Sequence, residues 1–191
     1  MAAELFALDA VAPQPWRNGG GVTRELFAWP RDPTWRVRIS VADIDADGPF
    51  SPFDGVERWF ATIQGRGVEL DFGGTKQHVT LADAPLRFDG ALAPMCRLLD
   101  GPSRDLNLML RDARGAMVRV VDHRPWSPAG DACALFAAVD GVVHAQGPRD
   151  RVPARSLLVY TRPPATLRFA ADHDLGAPVG WWLQWSPLER P

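Results

Sequence analysis

The clearest regular pattern in the chain is the stretch from Trp35 to Ala42, in which apolar residues occupy every second position. Side chains two positions apart lie on the same face of a strand, so this pattern predicts one apolar face and one face carrying Arg36, Arg38 and Ser40. Most antiparallel sheets leave one face in water, and alternation by itself therefore favours an exposed polar face. Inside a barrel, the same guanidinium groups would instead form an anion site.

Similar apolar stretches predict short strands along the whole chain. The 17 glycines and 18 prolines recur every few residues and leave no long stretch of helical spacing, which favours an all-β sandwich or barrel. Residues 58–64 with 67–72, and 132–139 with 142–144, are predicted as hairpins. Residues 106–110 are predicted as either a strand or one helical turn. The later strands partly echo the earlier ones, which suggests an internal repeat.

Composition narrows the class of protein. Hydrophobic residues make up 46% and charged residues 23% of the 191 residues, as is usual for a globular protein. The net charge is −2 and Lys76 is the only lysine, so the chain has no basic stripe for nucleic acid. No apolar run approaches the roughly 20 residues of a membrane helix, and the first residues do not resemble a secretory signal. We therefore expect a cytoplasmic protein with no membrane partner, and two buried, reduced cysteines, Cys96 and Cys133.

Three consecutive glycines at positions 19–21 lie between Asn18 and the predicted strand at 22–29. Glycine occurs where the backbone needs a positive φ or approaches another group closely. Residue types alone favour a turn or bulge that enters a sheet. The alternative is a backbone surface that lines a small-molecule site, with Asn18, Thr23 and Arg24 as donors.

The sequence contains no motif for catalysis or metal binding. G-x-S-x-G is absent, and the histidines occur singly, without the spacing that would place two imidazoles on one strand or helix face. The acidic loop at 45–54 lacks the spacing and closing Glu of an EF-hand. Phe50 and Phe53 in this loop are predicted to fold inward as a hydrophobic lid. The eight tryptophans are interpreted as core anchors, or alternatively as a stacking surface for a flat ligand.

Six motifs together resemble the HutD/Ves family. They are W-R-N-G-G-G-V-T-R-E at 16–25, W-R-V-R-I-S-V-A at 35–42, D-G-P-F-S at 47–51, E-R-W-F at 57–60, G-R-G at 65–67 and D-L-N-L-M at 105–109. The resemblance covers nearly all of residues 1–120 and is weaker over 121–191. Three positions depart from the family pattern: Arg17 replaces Lys, Glu57 replaces Asp and Leu106 replaces Phe, so any stacking role at position 106 is in doubt.

The resemblance implies a bicupin-like β-barrel or sandwich of short antiparallel strands without the cupin metal histidines. Residues 1–120 would form a first cupin-like half and residues 121–191 a second, packed as one compact unit. Family members are encoded with the histidine-utilisation pathway and are thought to act as a governor that binds urocanate. Ves members are instead linked to stress response.

The resemblance also implies a set of ligand-binding residues. An arginine would bind the carboxylate of urocanate, asparagine or threonine would bond its ring nitrogens, and Phe50 or Trp59 would cover the ring. The set comprises Asn18, Gly20, Gly21, Thr23, Arg24, Arg38, Ser40, Phe50, Arg58, Trp59 and Asn107.

We therefore expect a metal-free protein that binds urocanate or a related small carboxylate and modulates histidine catabolism. It would need no cofactor and would not be an enzyme, and homodimerisation is left open. Three alternatives remain open at this stage: a cupin-like isomerase or hydrolase that acts on a small carboxylate, a stress-induced Ves-type protein, and an assembly module whose Trp-rich last strand pairs with a partner.

Overall fold

The computed structural model describes residues 3–31, 33–145, 149–173 and 176–188. The regular structure in these residues consists of strands and two short 3-10 turns, Leu8–Ala10 and Gly90–Leu92, so the all-β prediction is confirmed. The strands are β1 (Ala3–Ala7), β2 (Gln14–Pro15), β3 (Gly21–Trp29), β4 (Val37–Ile44), β5 (Gly48–Pro49), β6 (Val56–Gln64), β7 (Val68–Asp71), β8 (Lys76–Val79), β9 (Leu86–Asp89), β10 (Met95–Leu98), β11 (Ser103–Arg111), β12 (Ala113–Arg119), β13 (Ala132–Ala137), β14 (Gly141–His144), β15 (Arg149–Val152), β16 (Ser156–Tyr160), β17 (Arg168–Ala171) and β18 (Gly180–Pro187). The segment around Leu106 is therefore a strand.

The chain forms two compact units. We call Val11–Asp112 the central unit, and the described residues of Met1–Ala10 and Ala113–Pro191 the terminal unit. The halves expected from the sequence, 1–120 and 121–191, have other bounds than these units, because the described residues of 1–10, together with residues 113–120, belong to the terminal unit. The first residues belong with the C-terminal part of the chain because β1 pairs with β16 along its whole length, and β12 belongs there because it pairs with β18.

The central unit contains two antiparallel sheets. The larger has the strand order β2-β3-β4-β11-β6-β9, and the smaller has the order β5-β10-β7-β8. Apolar side chains from both sheets form one hydrophobic core, which includes Ile44 and Phe60 from the larger sheet and Leu70 and Cys96 from the smaller. Burial of these side chains stabilises the two sheets against each other.

The terminal unit also contains two sheets. Their strand orders are β1-β16-β13-β18-β12 and β15-β14-β17. Its core is built from large apolar side chains, among them Leu135, Phe169 and Trp182. Cys133 lies in this core and Cys96 in the core of the central unit, so both cysteines are buried as expected, and burial raises the pKa of each thiol to about 12.

The two units repeat one strand order. In the central unit β6 lies between β9 and β11, and β7 lies between β8 and β10; in the terminal unit β13 lies between β16 and β18, and β14 between β15 and β17. The internal repeat suggested by the sequence is therefore present as a repeat of topology.

This topology corrects both predicted hairpins, because β6 and β7 lie in different sheets, as do β13 and β14. A glycine lies where the chain passes from β6 to β7, and another where it passes from β13 to β14. A Cβ on Gly67 would lie 2.2 Å from the carbonyl oxygen of Val79, and one on Gly141 would lie 2.5 Å from that of Ala170. These glycines permit a close backbone approach to the neighbouring strand of the smaller sheet, β8 or β17, rather than a tight hairpin turn. Among the described residues, none forms a helix with the length and apolarity required to cross a membrane.

Candidate functional site

A cavity of about 560 Å³ lies in the central unit, on one face of the larger sheet. Strands β2, β3, β4, β6 and β11 supply its wall, and the loop after β5 supplies its cover. The lining residues are Gln14, Pro15, Trp16, Arg17, Asn18, Thr23, Arg38, Ser40, Ala42, Ile44, Pro49, Phe50, Ser51, Pro52, Phe53, Arg58, Phe60, Asn107 and Met109.

The register of three neighbouring strands brings the polar lining residues together. Met109 of β11 stands opposite Arg38 of β4 on one side and opposite Arg58 of β6 on the other. Two positions earlier in β11, Asn107 stands opposite Ser40 of β4 and Phe60 of β6. Side chains two apart on a strand share a face, so these two rows form one continuous wall.

The polar face of β4 is therefore covered at Ser40 and half-buried at Arg38, and the exposure favoured by alternation alone is wrong. Ser40 is 2% exposed and lines the cavity with Arg38, whereas Arg36 does not line it. The opposite face of the strand is buried as well, as Val37 and Ile39 show. Alternation indicates which side chains share a face, but it does not reveal what covers each face.

Arg58 is the most unusual side chain in the cavity. It is 7% exposed, its Nη2 donates to Oδ1 of Asn107 at 2.8 Å, and its Nε has no hydrogen-bond partner. Its Cζ lies 4.9 Å from the ring centre of Phe50 and 5.2 Å from that of Phe88, within the range of cation–π attraction. Burial, together with the charge of Arg38, lowers the pKa of Arg58 to about 10. The guanidinium is thus a desolvated cation that pairs with no carboxylate in the described part of the chain.

Arg38 is better compensated. Its Nε donates to Oε2 of Glu25 at 2.6 Å, and its Nη1 makes a weak contact with Sδ of Met109 at 3.8 Å. Glu25 does not line the cavity, and neither does any other aspartate or glutamate among the described residues. With Arg17 also on its wall, the cavity favours negative charge.

The loop between β4 and β6 covers the cavity as the sequence predicted. Phe50 is 8% exposed and packs against Phe60 with ring centres 5.6 Å apart. Phe53 also lines the cavity and lies 5.8 Å from Cζ of Arg58. The two aromatic rings cover part of the guanidinium.

The triple glycine serves as a turn. Gly19 has a φ of +70°, and a Cβ on Gly21 would lie 2.2 Å from the carbonyl oxygen of Asp43. The backbone N–H of Trp16 donates to the carbonyl of Gly21. This tight backbone places Asn18 and Thr23 at the cavity, where Nε1 of Trp16 donates to Oγ1 of Thr23 at 2.7 Å.

Seven of the eleven site residues expected from the sequence line the cavity, and four do not. The seven are Asn18, Thr23, Arg38, Ser40, Phe50, Arg58 and Asn107, whereas Gly20, Gly21, Arg24 and Trp59 lie outside its lining.

The placement of Arg24 and Trp59 follows from strand geometry. Each neighbours a lining residue, Thr23 or Arg58, so its side chain points to the opposite face of the sheet. Arg24 there pairs with Asp43 at 2.5 Å, while Nε1 of Trp59 donates to Glu57 at 2.9 Å. Leu106 lies beside Asn107 in the same way, so the aromatic ring missing at this position would not have faced the cavity.

Sequence reasoning missed several lining residues. Phe60 and Met109 stand two positions from Arg58 and Asn107, so period-two spacing would have found them. Trp16 and Arg17 belong to the turn motif itself but were not assigned to the site. No periodic pattern marks Gln14, Pro15 or Pro52.

The lining residues do not suit a metal of the kind that histidine-rich cupins hold. The described lining offers no imidazole and no carboxylate, and no group of three His, Cys, Asp or Glu residues in the described part of the chain is placed to hold an ion. The oxygens and nitrogens present belong to amides, hydroxyls and guanidinium groups, which bind anions and polar organic molecules instead.

Comparison with known sequences identifies relatives of this chain. The family model described as HutD matches residues 9–177. Protein Ves from Citrobacter koseri is 38% identical over 125 residues, which cover 63% of this chain and 64% of that protein. An uncharacterised 21.2 kDa protein from the hutC 3′ region of Pseudomonas putida is 34% identical over 58% of this chain and 60% of its own length. The chain thus spans less than two thirds of both relatives.

Solved structures share the fold. The protein PA5104 of unknown function from Pseudomonas aeruginosa superposes with a TM-score of 0.83 at 25% identity, covering 98% of this chain and 100% of that one. HutD from Pseudomonas fluorescens gives a TM-score of 0.81 at 22% identity, with coverages of 98% and 100%. The pirin YhhW from Escherichia coli, in complex with nickel(II), gives 0.61 at 13% identity over 98% and 100% of the two chains.

Proposed function

The chain belongs to the HutD family, and we propose that its central unit binds a small organic carboxylate such as urocanate, without metal and without turnover, and thereby modulates histidine utilisation. The observation that carries the proposal is the buried guanidinium of Arg58, which has no carboxylate partner in the described structure and faces a cavity.

A buried cation without a counter-charge is costly, since desolvation removes several kcal/mol of hydration that nearby dipoles only partly replace. An anionic ligand would remove this cost by pairing with Arg58, and the guanidinium fork is suited to a carboxylate held by two parallel bonds. The guanidinium groups of Arg58 and the neighbouring Arg38, both on the lining of the cavity, supply the required donors. The site would then be complete only in the bound state.

The size and the aromatic lining of the cavity support a small flat acid as the ligand. Its volume of about 560 Å³ lies within the usual range for small-molecule sites. Phe50 and Phe53 border the space next to Arg58, so a planar ring joined to a carboxylate would contact aromatic faces while its charge reaches the guanidinium. Urocanate, a flat imidazole that bears a carboxylate, has this shape.

Two facts from the comparisons support a role in histidine utilisation. The matching family model is described as HutD, and the Pseudomonas putida relative is named for the hutC 3′ region, where hut denotes histidine utilisation. Binding without turnover is consistent with the lining, whose described side chains include no histidine, carboxylate, cysteine or lysine to transfer a proton at neutral pH.

Isothermal titration calorimetry with urocanate tests the proposal. We expect Arg58→Gln and Arg38→Ala to lose at least tenfold in affinity, because charge-assisted bonds contribute about 1.5–3 kcal/mol each. Arg24→Gln is the matched control: it removes an arginine from the opposite face of the same sheet and should bind as the wild type does. Native circular dichroism must accompany each variant.

Three outcomes would contradict the proposal. If the wild type does not bind urocanate, urocanate is not the ligand. If Arg58→Gln and the wild type bind it with equal affinity, Arg58 is not part of the binding site. If urocanate is converted to a product over hours, the protein is an enzyme.

A further inference from the structure

The polar side chains of the cavity share a property beyond their positive charge. Three of these side chains, Asn18, Thr23 and Asn107, can both donate and accept hydrogen bonds. In each of them the side-chain oxygen already accepts a hydrogen bond from another residue. Oδ1 of Asn18 accepts from the backbone N–H of Gly20 at 3.1 Å, and Oγ1 of Thr23 accepts from Trp16 at 2.7 Å. Oδ1 of Asn107 accepts from Arg58 at 2.8 Å.

These three bonds identify each oxygen as an acceptor with one of its two lone pairs already used. A backbone N–H, an indole N–H and a guanidinium can only donate, so the oxygens they contact must be acceptors. The amide nitrogens of Asn18 and Asn107 and the hydroxyl hydrogen of Thr23 are then left to donate. Arg38 and Arg58 add guanidinium donors, which have no acceptor capacity at all. The cavity therefore offers an excess of hydrogen-bond donors.

A ligand that carries an ammonium group finds little to bind in this cavity. No aspartate or glutamate is among the described lining residues. The carboxylate of Glu25 is occupied by Arg38, whose Nε lies 2.6 Å from its Oε2. The neutral oxygens of Gln14, Ser40 and Ser51 remain, but an ammonium there would lose water beside two guanidinium groups.

We propose, on the basis of the function proposed above, that the cavity selects organic acids that lack a free amino group and rejects the corresponding amino acids. The discriminating residues are Asn18, Thr23 and Asn107, held as donors by Gly20, Trp16 and Arg58. The physiological ligand is then an organic acid without an ammonium group, and the corresponding amino acid does not compete for the site.

Two pairs of compounds test this selectivity by calorimetry at pH 7.5. Imidazolepropionate and L-histidine share a carbon skeleton and differ in the α-ammonium group; glutarate and L-glutamate form the second pair. We expect the acid of at least one pair to bind, and to bind at least 30-fold more tightly than its amino acid. Binding of the amino acid is weaker because its ammonium group is brought close to the guanidinium groups without water. It is also weaker because hydrogen-bond donors of the cavity are left without acceptors.

The variant Asn18→Asp sharpens the test. One oxygen of the new carboxylate still accepts from the N–H of Gly20. The other oxygen replaces the amide nitrogen of Asn18, so that an acceptor takes the place of a donor. We expect its ratio of acid to amino-acid affinity to fall at least tenfold. Gln77→Glu, which makes the same change of charge on exposed β8, should keep the wild-type ratio.

The outcomes separate this inference from the proposed function. Comparable affinities for acid and amino acid within both pairs overturn the selectivity but leave a carboxylate site. An unchanged ratio in Asn18→Asp overturns the role of Asn18 as a discriminating donor. If neither these acids nor urocanate bind, the carboxylate site and its selectivity both fail.

Discussion

The central and terminal units arrange their strands in the same order, but their interiors differ. At corresponding strands, β6 and β11 of the central unit direct Arg58 and Asn107 into a cavity. In the terminal unit β13 and β18 direct Leu135 and Trp182 into an apolar core. Trp182 also stacks on Trp126, with ring centres 4.7 Å apart and planes 8° apart. One copy of the topology is thus filled by its own side chains, and the other leaves space for a ligand.

Unsatisfied polar groups follow the same division. Among the described residues, the buried atoms without a hydrogen-bond partner are Nε of Arg58, Oδ2 of Asp105 and Oγ of Ser156. The two that belong to ionisable side chains lie in the central unit, whereas the terminal unit has a neutral hydroxyl. Buried groups of this kind lower stability and persist where function requires them. The comparison fits the function proposed above, in which the terminal unit contributes stability and the central unit gives up some stability for ligand binding.

Truncation of a core side chain should therefore cost more in the terminal unit than at the cavity wall. We expect Trp182→Ala to lower the free energy of unfolding by about 3–5 kcal/mol, since it removes a 2% exposed ring and leaves an apolar void. Met109→Ala should cost no more than about 2 kcal/mol, because Met109 borders space that already exists. Urea unfolding followed by circular dichroism measures both. Equal costs would mean that the two interiors are packed alike.

Asp105 provides a pH-dependent test of the central unit. It is 0% exposed, and its Oδ1 accepts bonds from Thr62 at 2.9 Å and Ser103 at 3.1 Å. Burial, opposed by these bonds and aided by the charge of Asp43, raises its pKa to about 7. The hydroxyl of Thr62 also lies 2.8 Å from the carbonyl of Val79. The Thr62 hydroxyl has one hydrogen for these two acceptors. When it donates to Val79, a protonated Oδ1 of Asp105 can instead donate to Oγ1 of Thr62, so protonation completes the network.

The sign of the effect follows from the raised pKa. The folded state holds the proton of Asp105 up to about pH 7, while the unfolded chain releases it near pH 4, as an ordinary Asp does. Stability from this group is therefore present at low pH and decreases as the pH rises between these values, by at most about 1.4 kcal/mol per pH unit. We expect Asp105→Asn to flatten the profile of unfolding free energy between pH 5 and pH 7.5. The same change at the exposed Asp100 should not alter it; an unflattened profile in Asp105→Asn would show that Asp105 is ionised throughout.

Much of the fold was predictable because local patterns carry it. Strand positions followed from apolar stretches between glycines and prolines, and β3 and β4 were located to within two residues at each end. Strand pairing was not predictable in the same way. The two predicted hairpins are wrong, because Gly67 and Gly141 serve a close approach to a neighbouring strand of the smaller sheet, which depends on residues distant in sequence.

The candidate site was predictable where residue type and strand face agree. Arg38, Arg58 and Asn107 came from the motifs of the family and line the cavity, whereas Arg24 and Trp59 came from the same motifs and face away from it. A sequence motif identifies the residue types but not the face of the strand on which each side chain lies. That face follows from the register of the neighbouring strands. The donor character of Asn18 and Asn107 was also beyond sequence reasoning, because it depends on contacts with the backbone of Gly20 and the guanidinium of Arg58.

The smallest expected change in stability is also the most direct test of the comparison between the units. Arg58→Met replaces a buried, unpaired cation with an apolar side chain of similar length, and we expect the free energy of unfolding to rise by about 1 kcal/mol, because replacing buried charges with apolar groups is often neutral or stabilising. Asn107 then loses a donor, but it faces the cavity, where water can replace the bond. Urocanate binding should be lost at the same time. Arg87→Met, on an exposed side chain that pairs with Glu57, serves as the control and should leave both properties unchanged. A loss of 2 kcal/mol or more in Arg58→Met would mean that Arg58 supports the fold, and the contrast between a binding unit and a stabilising unit would then fail.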